Sequence, residues 1–323
     1  MNDSSRLSQD APPADESPRR DAGQETDSAP LSPLHPSALG KVQRSTALSI
    51  VLFLVTCLCT FATRPVYFSD GDFAHRLLAT WREGLVYMGA VMGILLAHEM
   101  GHFLMTLWHR IPASYPLFIP VPPAIIPSPF GTMGAVIAME GSKADRRRLF
   151  DIGIAGPLAG LAVCVPIVVL GIQDATAYIQ PQKVVLHQPL GMQLLVEYLR
   201  PELAGKELVM SPLFMAGWLG LLVTGLNMLP VSQLDGGHVI YALLRNKSFF
   251  VAHGLVFVAI VYMVATPNLI WLVMLALIII IGVNHPPTAD DQVRLGFVRT
   301  ALGWASLIIP ILCFPPAGIT VFE

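Results

Sequence analysis

Charge is what this chain has least of. Asp, Glu, Lys and Arg make up 13% of its 323 residues, about half the ~25% of an ordinary soluble domain. Twelve of those charges (five Lys/Arg, seven Asp/Glu) fall in residues 1–45, so residues 46–323 carry only 30. So little charge cannot cover a water-facing surface, which excludes a soluble enzyme. The net charge of −2 supplies no basic patch or stripe for nucleic acid. Cysteine is equally scarce: Cys57, Cys59, Cys164 and Cys313 sit in apolar stretches without CxxC spacing, which gives neither a disulfide framework nor a thiolate zinc site.

Apolar residues are what remains, at 54% with a mean hydropathy of +0.60. Residues 1–45 mix Ser, Asp, Pro and Arg without apolar period and read as a disordered cytosolic tail. They match neither a signal peptide nor an acid-poor transit peptide. Apolar runs follow at Thr46–Thr63, Gly84–Trp108, Phe150–Gly171, Pro212–Leu244, Phe249–Ala265, Leu269–Val283 and, interrupted by proline, Thr300–Phe314. Crossing ~30 Å of hydrocarbon takes ~20 residues. The reading is an all-α polytopic membrane protein of six or seven spans, one integral membrane domain over residues 46–323. Fourteen of the 20 Lys/Arg fall on one side if the N-terminus is cytosolic, the orientation that the positive-inside rule favours. A bacterial plasma membrane is the expected location.

The second run contains His98-Glu99-Met100-Gly101-His102, an HExxH motif in a hydrophobic helix. Histidines at i and i+4 share one helical face and can share a zinc ion, with the intervening Glu99 free to act as a base. Nine His and nine Glu in this chain would give the pattern by chance with an expectation of roughly 0.007. Ionisable groups are costly inside a membrane and mark functional sites.

Catalytic zinc usually takes three protein ligands. Counting residues inward from Arg110 and Arg245 places His98, His102 and Asp235 at similar depth, ~12 to 18 Å at 1.5 Å per residue, so Asp235 fits as the third. Asp151 lies too shallow and reads as a complement to the positive end of its helix. His253 reads as an interior polar contact and His109 as an interface residue. His238, one turn past Asp235, is either a competing ligand or, the preferred reading, a hydrogen-bond partner behind the ligands. Between Asn227 and Gly237 a proline and a glycine pair break the helix in mid-membrane, which is tolerated only where backbone is buried in protein or lines a watery cavity. The freed backbone and Asn227 can donate hydrogen bonds to a substrate carbonyl or the oxyanion formed from it.

HEMGH in one span, followed far downstream by Asn227-x-x-Pro230-x-x-x-Leu234-Asp235-Gly236, resembles the site-2 protease family of intramembrane zinc metalloproteases (peptidase family M50). The segments Pro129 to Gly134 and Ala155 to Gly160 resemble most its cyanobacterial and plastid branch. The resemblance covers roughly Gly84 to Leu244. It implies one zinc ion held by His98, His102 and Asp235, Glu99 as catalytic base, and cleavage of membrane-spanning proteins near the cytosolic side. The loop from Ile172 to Met210 is too short for the PDZ domain or CBS pair of many relatives.

Seven prolines between Pro112 and Pro129 forbid a helix, and Gly131 to Met139 then reads as a strand. Its edge either pairs with an extended substrate or belongs to a re-entrant hairpin that seals the core. Gly131 and Gly134 join Asn227 as candidate substrate or oxyanion contacts. Gly156 and Gly160 read as close helix packing, and His285-Pro286-Pro287 as a helix stop. Two other classes fit a membrane zinc site: a zinc transporter, which needs ligands along a path to both surfaces, and a relative that binds membrane helices without cutting them.

Overall fold

The computed structural model describes residues 46–67, 72–123, 125, 128, 130–178, 184–265, 275–276, 278, 282–315 and 319–321. The expected tail and most of the expected span Leu269–Val283 lie outside them. The described chain is mostly helical: α1 Thr46–Tyr67, α2 Phe73–Trp108, α3 Arg146–Gln173, α4 Leu190–Leu199, α5 Pro212–Asn227, α6 Asp235–Leu244, α7 Ser248–Ala265, α8 Phe297–Ser306 and α9 Ile309–Cys313. Strands β1 Leu117–Pro120 and β2 Thr132–Val136 form one antiparallel pair, and β3 Val184–Leu186 and β4 Ile319–Val321 another.

Among the described residues, four helical stretches are long and apolar enough to cross a membrane: Thr46–Val66, Ala74–Trp108, Arg146–Gln173 and Asp235–Ala265. The last is interrupted at Arg245, whose φ is 54°, so α6 and α7 are separate helices joined by a 3₁₀ turn. The count is below six or seven because α5 has only 16 residues and Phe297–Cys313 is short, while part of the remainder is not described.

Helix α2 begins eleven residues before the expected apolar run. Charge ended that run, yet both acidic residues there are engaged: Asp72 caps the helix by accepting from the His75 N–H, and Glu83 pairs with the buried Arg64 of α1. Helix α3 likewise starts early, capped by Asp145, which accepts from the backbone N–H groups of Arg147 and Arg148. The cap is therefore Asp145. Asp151 instead accepts from Arg299 Nε at 2.7 Å and lies 3.0 Å from His109 Nε2, tying α3 to α2 and α8.

Helices α2, α3 and α5 pack into the main core around Tyr87, Cys164, Val168, Phe214 and Trp218. Phe130 of the proline-rich loop stacks on Trp218 with ring centroids 5.7 Å apart and accepts from the Tyr87 hydroxyl at 3.2 Å. Those contacts hold the β1–β2 hairpin against the helices. Its register pairs Leu117 with Val136 and Phe118 with Ala135 and is bulged before Pro120. Proline at a strand end and a bulge are what the ladder tolerates.

Candidate metal centre

The HExxH helix and the broken helix meet. His98 and His102 project one turn apart from α2, and Asp235 is the first residue of α6. His98 Nε2 lies 3.1 Å from Asp235 Oδ2, His102 Nε2 3.2 Å from Asp235 Oδ1, and the two Nε2 atoms 3.2 Å from each other. All three side chains are largely buried. His102 Nδ1 donates to the Ile152 carbonyl of α3 at 2.8 Å, which in the neutral ring leaves Nε2 a bare lone pair. That lone pair faces a second imidazole nitrogen and a carboxylate oxygen, an arrangement that a cation shared among the three would satisfy.

The donor set fits zinc. Zinc bonds of about 2.0–2.1 Å at tetrahedral angles separate neighbouring ligand atoms by roughly 3.3–3.4 Å, close to the spacings found. The Ile152 carbonyl is the kind of outer partner that orients a ligating histidine.

Room for the imidazoles comes from α3. A methyl group at Gly156 would lie 2.1 Å from His102 Nε2, and one at Gly160 3.0 Å from His98 Nδ1. Close packing was the expectation for these glycines, and the structure adds what they pack against. Gly101 of the HEMGH motif answers from the other side, since a methyl there would meet the Ala155 carbonyl oxygen at 2.5 Å.

A cavity of about 170 Å³ opens beside the cluster, and Glu99, Asn227, His238 and the strand residues Ala135 and Val136 share in lining it. Glu99 is buried. Asn227 Nδ2 is 3.3 Å from His98 Nε2. Gly131 and Gly134 are not among the lining residues. Gly131, at φ 75°, turns the chain against α1, where a methyl would meet the Thr60 Cα at 2.6 Å, and the Gly134 N–H bonds the Thr132 hydroxyl at 3.1 Å. Ala135 and Val136, further along β2, are the strand residues that line the cavity. His238 is outside the cluster of convergent ligand atoms. Its Nδ1 lies 2.7 Å from His285 Nε2, a pairing that no spacing in the sequence signals. His109 is held at the α2–α3 contact, as an interface residue would be, whereas His253 is exposed and not the expected interior contact, its Nδ1 bonding the Phe249 carbonyl of its own helix at 2.9 Å.

The sequence profile described as Peptidase family M50 matches residues 86–266. The chain is 31% identical over 239 residues to the probable zinc metalloprotease EGY1, chloroplastic, of Arabidopsis thaliana, a match covering 70% of this chain and 42% of that protein. It is 31% identical over 212 residues to the protein of the same name from Oryza sativa subsp. japonica, covering 60% and 34%. To the probable zinc metalloprotease EGY2, chloroplastic, of Arabidopsis thaliana it is 27% identical over 193 residues, covering 57% and 33%. The matches thus span less than half the length of these curated relatives. No solved structure matches. The expected bacterial plasma membrane finds no support in relatives named chloroplastic; membrane residence itself rests on the apolar helices.

Proposed function

This chain belongs to peptidase family M50, the site-2 protease family, and from that premise we propose that it is a zinc metalloendopeptidase that cleaves membrane-spanning proteins within the bilayer. One observation carries the reading: His98, His102 and Asp235, from motifs more than 130 residues apart in sequence, converge within 4.8 Å beside the buried Glu99. His98, His102 and Asp235 would hold the zinc. When bound, zinc polarises the scissile carbonyl and makes water a stronger acid, lowering its pKa toward ~7.

The remaining work falls to the chain's own side chains. Glu99 accepts the proton of the attacking water and returns it to the leaving amine nitrogen, the work of a general acid and base. Asn227 donates its side-chain amide N–H to the carbonyl oxygen as negative charge builds there. Ala135 and Val136 place the free edge of β2 along the cavity, where an extended substrate strand can add to the hairpin through main-chain hydrogen bonds. Helical substrates must unwind to do so, and an edge strand supplies partners for the backbone groups released. Gly131, just before β2, and Gly134, within it, supply the positive-φ backbone that shapes this edge. The break between α5 and α6 puts hydrogen-bonding backbone at the same depth.

Residues 46–323 act as one membrane domain with its catalytic core at about 84–244. The Lys/Arg asymmetry supports a cytosolic N-terminus and a site opening toward that side. Ligands gathered at a single depth favour cleavage over zinc transport. The test is purified protein in vesicles with a membrane-spanning substrate. Glu99→Gln keeps its zinc and loses cleavage, whereas Asp235→Ala loses both. Cleavage by Glu99→Gln at the wild-type rate, or full zinc in Asp235→Ala, overturns the assignment.

A further inference from the structure

His238 and His285 are used neither as metal ligands nor in the steps above, yet the structure builds them tightly into the site. His285 Nδ1 lies 2.5 Å from the Pro286 carbonyl oxygen. A carbonyl only accepts, so Nδ1 carries the hydrogen and the neutral ring presents a bare Nε2. That Nε2 is 2.7 Å from His238 Nδ1, which must therefore be the donor. The logic passes along the pair: a neutral His238 with hydrogen on Nδ1 has its lone pair on Nε2. His238 lines the metal cavity and His285 does not. His285 instead lines a separate cavity of about 350 Å³ between α6 and α7. With Nδ1 on His285, the Nε2 of His238 points away from that partner, and His238 is the member of the pair that lines the cavity shared with Glu99 and the three candidate ligands.

The pair is rigidly held. Tyr241, one turn further along α6, stacks on His285 with centroids 4.3 Å apart, and its hydroxyl donates to Asp291 at 2.8 Å. Thr288 donates to the same carboxylate at 2.6 Å. Burial pushes the Asp291 carboxyl up, but these hydroxyls outweigh it and hold it below the ordinary carboxylate value, so the clamp is ionised at neutral pH. Backbone bonds from Ala289 to Ala144 at 2.9 Å and from Ser232 to Val283 at 3.2 Å fasten the rest of residues 283–291. On the other side a methyl at Gly153 would lie 2.8 Å from His238 Cβ, so the ring is backed closely by α3.

We infer that His238 is a positioning residue of the active site, fixed by His285 in the tautomer that leaves Nε2 to accept a hydrogen bond from the attacking water. A water that gives one proton to Glu99 has a second O–H to place, and a fixed acceptor aims its lone pair at the carbonyl. This rests on the proteolytic reading above, but its first test does not. In metal-free protein with ¹⁵N-labelled histidine, the His238 signals report a protonated Nδ1 and a bare Nε2, and His285→Ala averages them. The reverse tautomer in wild-type protein overturns the inference whatever the enzyme does.

With zinc and a membrane-spanning substrate, His238→Asn keeps a donor for His285 but has no atom at the Nε2 position. It lowers kcat on the order of 10- to 100-fold, the scale of a misplaced reactant, with KM and zinc content within about twofold of wild type. His238→Gln, whose amide oxygen reaches further, recovers part of the loss. His285→Ala lowers kcat less and also leaves zinc in place. Wild-type kcat in His238→Asn, or zinc lost together with kcat in both His238→Asn and His285→Ala, overturns the inference, the second outcome assigning the pair to metal retention.

Discussion

Two membrane segments carry proline in mid-chain and end differently. Helix α3 runs unbroken from Arg146 to Gln173 through Pro157 and Pro166. The segment from α5 to α6 comes apart between Asn227 and Asp235 around Pro230. Proline removes one backbone donor in either place, so proline does not decide. The difference lies in where the freed backbone can go. In the break, the Val231 N–H finds the Leu229 carbonyl at 2.8 Å, Ser232 finds Val283 at 3.2 Å, and His238 finds Leu234 at 2.9 Å. Gly236 and Gly237 let the first turn of α6 seat on that looped backbone, where methyl groups would meet the Met228 and Ser232 carbonyl oxygens at 2.0 and 2.2 Å. Helix α3 uses its glycines across the interface instead, to admit the imidazoles of α2. One segment is a wall with recesses, and the other is a hinge that delivers a carboxylate.

Substituting each device in turn sharpens the comparison. The largest effect belongs to Gly156→Ala, whose methyl falls on the nitrogen proposed to bind metal. Zinc content of the purified protein should drop at least 10- to 100-fold in affinity, the scale of disturbing a ligand's surroundings. Next comes Gly237→Ala, which strikes backbone rather than a movable side chain. It should destabilise the fold by about 1–3 kcal/mol as overpacking does, read as a lower midpoint of thermal unfolding in detergent, with zinc loss following from the misplaced Asp235. Gly160→Ala meets His98 at a tolerable distance and should weaken zinc binding only a few-fold. Pro166→Ala, on an α3 that is helical regardless, should leave zinc content and cleavage unchanged. A large loss from Pro166→Ala, or none from Gly156→Ala, breaks the distinction between wall and hinge.

Much of this was legible beforehand. The HExxH motif names its own face because an α-helix repeats every 3.6 residues, and Asp235 fitted by depth and was implied by the family resemblance, with His238 left as a competing ligand. The break was readable because Pro230 and Gly236-Gly237 stand in an otherwise apolar run. Other features were not. Asp151 sits where a helix-end role is plausible, and only packing brings it to His109 and Arg299. Gly131 and Gly134 look like contact residues, but Gly131 ends the connection before β2 and Gly134 lies within that strand, while Ala135 and Val136 line the cavity. The second sheet, β3 with β4, joins segments more than 130 residues apart, which no local pattern encodes.

By itself the sequence determined that the chain is built for a membrane and singled out four ionisable residues in its apolar runs, His98, Glu99, His102 and Asp235, as the candidates for its chemistry. Both follow from scarcity: hydrocarbon penalises charge so strongly that the few ionisable groups left in apolar runs stand out. Only the tertiary structure decided which carbonyl fixes the His102 tautomer, which glycines make room for the ligands, and that His285 reaches His238. Those are contacts between distant segments, set by the packing of whole helices, and the order of residues along any one helix does not contain them.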